Sequence, residues 1–145
     1  MSVDDTSAPS SDESKPSKGL HIGLWVVQVL LALAFGAAGA MKSMTPIDEL
    51  ATKLPWVASA PGLARFVGIS ELLGAIGLIL PAATRVRPKL TVYAAAGIAL
   101  IMVLGTAFHI YRGEGTAVPV TLILGSLAGF VIWGRLRKAP IAPRK

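Results

Sequence analysis

The 145-residue chain contains no cysteine. That excludes disulfides, thiol redox chemistry and cysteine-held metal clusters. Histidine is nearly missing as well: His21 and His109 are the only two. One precedes the first long apolar run and the other closes the third, so they fall near opposite membrane faces and cannot share one haem. A single histidine beside a single carboxylate makes a poor metal site. Charge is scarce, with 15% charged residues against 53% apolar ones, which a soluble globular domain does not match. No Gly-rich loop joins a strand to a helix, and no serine has histidine and aspartate arranged around it. The formal charge of +6 comes without a nucleic-acid motif or an aromatic platform, so no nucleic-acid partner is expected. Basic clusters flanking apolar runs orient membrane proteins instead.

What the sequence does have is long uncharged stretches. Residues 1–20 are a tail rich in Ser, Pro, Asp, Glu and Lys, with nearly nothing to bury, and are expected to be disordered. A membrane domain over residues 21–134 follows, and then a basic C-terminal tail over 135–145. The first apolar run, Ile22 to Met41, is broken only by Gln28. Twenty helical residues reach ~30 Å, enough to cross the hydrocarbon core. Ala38-Gly39-Ala40 resembles a signal cleavage site, but the run before it is long for a signal peptide. We therefore expect a retained span. The second span covers about Leu63 to Leu80 and stops at Pro81, the third about Leu90 to Ile110, and the fourth ends near Trp133. Between the first two, Thr45 can cap and Pro46 can start a short helix. Ile47, Leu50, Ala51 and Leu54 then share one face, as in an amphipathic helix on the membrane surface. Trp56 beside it suits the interface. The expected fold is thus all-α: a four-transmembrane-helix bundle with a short amphipathic interfacial helix between spans one and two.

Four spans put both termini on one side. Of the 14 Lys and Arg residues, only Lys42, Lys53, Arg65 and Arg112 fall on the opposite side. The positive-inside rule then places both termini in the cytoplasm of a multi-pass plasma (inner) membrane protein.

Glu71 is the anomaly in this pattern. It sits inside the apolar run Phe66 to Leu80, where a carboxylate costs about 2.5–3.5 kcal/mol on insertion scales. It needs a partner, a proton or water. Gly68, Glu71, Gly74 and Gly77 recur every three residues, so Glu71 is expected to face other helices, whose backbones small residues let approach. Lys42 at the outer end of span one and His109 at the outer end of span three are its candidate neighbours. Arg65 is set near the same mouth, but on another helix face. Gln28, Phe35 and Lys42 share a stripe, with Gln28 expected to bond between helices. Gly125 and Gly129 form a small-xxx-small pair in span four. The cluster reads either as a structural pair of Glu71 with Lys42 or as a proton-titrating or ligand-binding site of Glu71, Lys42, His109 and Arg65.

Three stretches carry a resemblance. They are Ala32 to Lys42, Arg65 to Leu78 around Glu71, and His109-Ile110-Tyr111-Arg112-Gly113-Glu114. With their ordered Lys, Glu and His, they resemble the DoxX-like family of small four-helix membrane proteins over residues 22–134. The resemblance implies mainly architecture. The family takes its name from a subunit associated with thiosulfate:quinone oxidoreduction, and relatives have been linked to respiratory redox complexes and to receptor assembly. Such divergent roles mean that the fold alone cannot select a function. The expectation is a non-catalytic accessory or assembly subunit of a membrane redox complex. A polar cavity near the outer face would take a quinone-like amphiphile, and the partners would be lipid and that complex or further copies of the chain. The alternatives are a quinone-interacting oxidoreductase subunit and a proton-coupled small-molecule transporter.

Overall fold

The computed structural model describes residues 15–145, so most of the tail expected to be disordered lies outside the described residues. Ser17 opens the first helix by accepting the Leu20 N–H at 3.2 Å, which satisfies one of the free donors of the first turn. The elements are α1 (Lys18–Met44), α2 (Ile47–Lys53), α3 (Pro61–Thr84), α4 (Lys89–Tyr111) and α5 (Val118–Trp133). A 3-10 turn, Pro55–Ala58, separates α2 from α3, and a π-turn, Gly134–Lys138, prolongs α5. Four helical segments, α1, α3, α4 and α5 together with its π-turn (Val118–Lys138), are long and apolar enough to cross a membrane. The short helix between the first two spans is where the sequence puts it. The spans form a ring: α1 packs chiefly on α3, α3 on α4, α4 on α5, and α5 closes back on α1.

In lipid the tails outside are as apolar as leucine, so close packing and polar contacts, rather than transfer from water, must hold the helices together. Leu31, Phe35, Leu78, Ile98, Met102 and Val131 make the central core. Leu33, Phe66, Leu73, Leu100 and Ile123 are exposed around the outside, the surface a bilayer covers. Glycines set how near the backbones come. A methyl group on Gly39 would lie 2.7 Å from the Gly68 carbonyl oxygen, and one on Gly68 would lie 2.7 Å from Lys42 Cβ. Backbone therefore touches backbone where α1 crosses α3. Gly74 and Gly77 play the same part against Ile98 and Ala94 of α4. Gly125 abuts Met102, but nothing lies within 4 Å of a methyl placed on Gly129. The small-xxx-small pair of the fourth span is thus half used.

Several boundaries differ from the sequence reading. The second span does not stop at Pro81 but runs through it to Thr84, with Pro81 buried. Pro81 removes the N–H that the Gly77 carbonyl would take. The next carbonyl, Leu78 O, accepts Gln28 Nε2 at 2.7 Å. Thr45 is the residue after α1 rather than a cap of α2, and α5 starts at Val118. The apolar edge of α2 faces the protein, not lipid. Leu50 and Val57 are fully buried and Trp56 is 8% exposed, in a second core with Ala64. Trp56 meets Phe108 edge-on at 5.5 Å. Its indole is taken up by this end cap instead of the interface. The fourth helical segment continues past Trp133 to Lys138, and Leu24 packs directly on Gly134.

Gly68→Ala should part α1 from α3 and lower stability by about 1–3 kcal/mol, the usual cost of overpacking. Gly97→Ala, at a position with open space within 4 Å, should be neutral. Thermal unfolding in detergent micelles distinguishes the two.

Candidate functional site

Lys42 lies in the last turn of α1, one turn beyond Gly39, and Glu71 lies one turn beyond Gly68 on α3. The glycine crossing therefore brings their side chains together. Lys42 Nζ donates to both carboxylate oxygens of Glu71, at 3.0 and 2.8 Å. The side chains are only 14% and 5% exposed, so water does little for either charge. The anomalous carboxylate of the sequence thus has a lysine partner. Arg65 also reaches this place. Its Nη1 and Nη2 donate to the carbonyls of Lys42 and Thr45 at 2.6 and 2.7 Å. Those carbonyls belong to the end of α1, where they have no helical partner and the helix dipole is negative. Six residues separate Arg65 from Glu71, so the two leave α3 in different directions. The long guanidinium arm nevertheless brings Arg65 to the same neighbour, α1.

His109 does not join this group by any hydrogen bond. It ends α4, and its Nδ1 lies 2.7 Å from Glu114 Oε2, which requires a proton on that nitrogen when the carboxylate is ionised. Arg112 Nε donates to the other Glu114 oxygen at 2.7 Å. Gly113, at φ 72°, supplies the left-handed residue that folds Glu114 back, and the Glu114 N–H bonds the His109 carbonyl at 2.9 Å. The Arg112 guanidinium first, and the His109 ring second, hold the Glu114 carboxyl below the usual carboxylate range. The polar end of the bundle opposite the chain termini is therefore two adjacent knots, Lys42–Glu71–Arg65 and His109–Glu114–Arg112, rather than one convergent site.

A third knot lies at the other end, and sequence reasoning missed its centre. Arg135, assigned to the basic tail, is 4% exposed. Its Nε donates to Gln28 Oε1 at 2.7 Å, and its Nη1 lies 3.2 Å from both His21 Nδ1 and the Ala139 carbonyl. Its guanidinium stands 5.6 Å from the Trp25 ring centre. Gln28 bonds between helices, as expected, and does so in both directions, to Leu78 O on α3 and to Arg135. A signal for this was present. Thr121, Ala128 and Arg135 are spaced by seven and all buried, so the arginine continues the inward stripe of α5. Its place beyond Trp133 disguised it as an ordinary flanking charge. Thr106 and Thr121 add a hydroxyl contact of 2.7 Å between α4 and α5. No group of three or more His, Cys, Asp or Glu side chains suited to a metal occurs among the described residues.

The sequence pattern of the DoxX-like family matches residues 26–131. That segment includes Gln28, Lys42, Arg65, Glu71, His109 and Glu114. No curated protein and no solved structure matches the chain.

Lys42→Met would leave the Glu71 carboxylate buried without a cation, which costs about 3–5 kcal/mol. Joining it with Glu71→Leu should recover most of that loss, since replacing both partners of a buried pair is often neutral. Unfolding of the two single variants and the double variant, compared in one detergent, measures the coupling. The Glu114 carboxyl has a depressed pKa, so its contribution is present above the ordinary carboxylate range and disappears as pH falls through the depressed value. The melting temperatures of the wild type and Glu114→Gln should therefore differ at neutral pH and converge in acid. A difference that persists unchanged at low pH would contradict the ion pairing.

Proposed function

The chain belongs to the DoxX-like family, and from that membership we propose that it is a non-catalytic accessory or assembly subunit of a membrane redox complex. The observation that carries this reading is the closed state of the Lys42–Glu71 pair. Lys42 engages both carboxylate oxygens, and Arg65 secures the end of α1 beside it. Intramembrane ionisable residues are functional candidates by default. Here their bonds run between α1 and α3, which supports a role in fixing the shape that a partner meets. The lipid-facing rows of α1, α3 and α4, with Leu33, Leu73 and Leu100 exposed, are the surface on which a partner's spans would pack.

The alternative reading is a quinone-interacting subunit, in which the third Lys42 Nζ–H, not used by Glu71, would donate to a quinone carbonyl. No redox step is assigned to the chain.

Deleting the gene should lower the amount of assembled partner complex in native electrophoresis of the membranes, and with it their quinone-reductase activity. Supplying the Lys42→Met/Glu71→Leu double variant should restore both, because only the joint between helices matters. A fully assembled and active complex in the deletion strain would overturn the proposal. A complex that assembles with Glu71→Gln but turns over more slowly would replace it with direct participation in quinone chemistry.

A further inference from the structure

A cavity of about 700 Å³ lies at the end of the bundle that carries the chain termini. It is bounded by the start of α4, the π-turn after α5 and the proline-rich segment 140–143. Arg87, Lys89, Tyr93, Arg135, Leu136 and Ile141 are among its walls. The final segment is held across it by the Arg144 N–H, which bonds the Arg85 carbonyl at 3.0 Å.

Two features of this cavity stand apart from the joints described above. One is Arg135. It is buried and its Nε and Nη1 are engaged, yet Nη2 has no hydrogen-bond partner. All the contacts of its guanidinium are neutral: an amide, an imidazole, a carbonyl and an indole face. Among the described residues the ion pairs are Lys42–Glu71, Lys53–Glu49, His109–Glu114 and Arg112–Glu114. None of them supplies Arg135, Arg87 or Lys89 with an anion. A buried guanidinium that lacks an anion carries a large desolvation cost. The other feature is the kind of wall around it. Tyr93 and Leu136 are exposed at 67% and 58% on the lipid-facing side, so the cavity is continuous with the surface that a bilayer covers.

Three cations, one with an unused buried donor, beside an apolar wall open to lipid are complementary to a charged head carrying a hydrocarbon chain. We propose that this cavity binds an anionic phospholipid. The phosphate lies between Arg87 and Lys89 beside the Arg135 guanidinium, and an acyl chain lies along Leu136 and Tyr93. Basic pockets between spans are a general means of holding such heads. A free phosphate ion would satisfy the guanidinium equally well but would gain nothing from the apolar wall.

The test uses the full chain in detergent, with phosphatidylglycerol or phosphatidylcholine of the same acyl chains added. Native mass spectrometry counts bound lipid, and thermal unfolding reads stabilisation. Phosphatidylglycerol should be retained in preference and should raise the melting temperature, whereas phosphatidylcholine and millimolar inorganic phosphate should not. Arg135→Gln should abolish the preference. Because that variant also loses the bond to Gln28, Arg87→Gln and Lys89→Gln, at exposed positions, provide the independent arm. Each should weaken retention about fivefold, the effect of one basic residue near an anionic lipid. Equal retention of the two lipids, or an equal shift with inorganic phosphate alone, overturns the proposal. A preference that emerges only after residues 2–14 are deleted also overturns it, since Asp4, Asp5, Asp12 and Glu13 would then be the native counter-ions.

Discussion

A hydrocarbon interior offers little to solvate a carboxylate or an amide, so a polar side chain inside this bundle is costly unless it finds a partner. The Lys42–Glu71 contact meets that constraint at the deepest acid, and much else depends on it. It exists because α1 and α3 touch through Gly39 and Gly68. That approach in turn would be unfavourable with a lone carboxylate one turn away. Arg65 fastens the same crossing from the other direction by taking the carbonyls that α1 cannot use. Packing and electrostatics are therefore not separate contributions here. Each is the condition under which the other is affordable.

The architecture was legible because its signals are long. Four runs of about twenty apolar residues leave little choice of fold, and the Pro46–Leu54 pattern was enough to find α2. The site was legible only in part, for reasons that can be traced to single residues. Lys42 and Glu71 could be paired from topology, because a lysine at a helix end and a buried glutamate each lack alternatives. His109 was expected beside Glu71, and the structure gives it no hydrogen bond there. Its partner Glu114 is five residues away and reaches it through the turn at Gly113, a local contact that competes with any distant one. Pro81 read as a stop because water-soluble helices seldom survive an interior proline. Inside a bundle its neighbours can compensate. Arg135 read as solvated because a basic residue after a tryptophan usually is.

The two ends of the bundle differ in character. At the end opposite the termini each cluster sets a cation against a carboxylate: Lys42 on Glu71, and Arg112 on Glu114, which His109 also meets. At the terminal end Arg135 is stabilised by neutral groups alone, beside Arg87 and Lys89. Between them the core is closely packed and apolar, apart from the threonine hydroxyls of α4 and α5. The shared frame by itself therefore does not select an activity.

The Gln28–Arg135 bond joins residues 107 positions apart, whereas Lys42 and Glu71 are separated by 29. A chain entering the membrane from its N-terminus can form the glycine crossing and its ion pair as soon as the second span has arrived. The bond between Gln28 and the guanidinium waits for the last span. Until then Gln28 has only the Leu78 carbonyl, and the groove beside α1 that Gly134 will fill stands open. Insertion in chain order would thus lock one end of the bundle before the other can be latched by its final arginine.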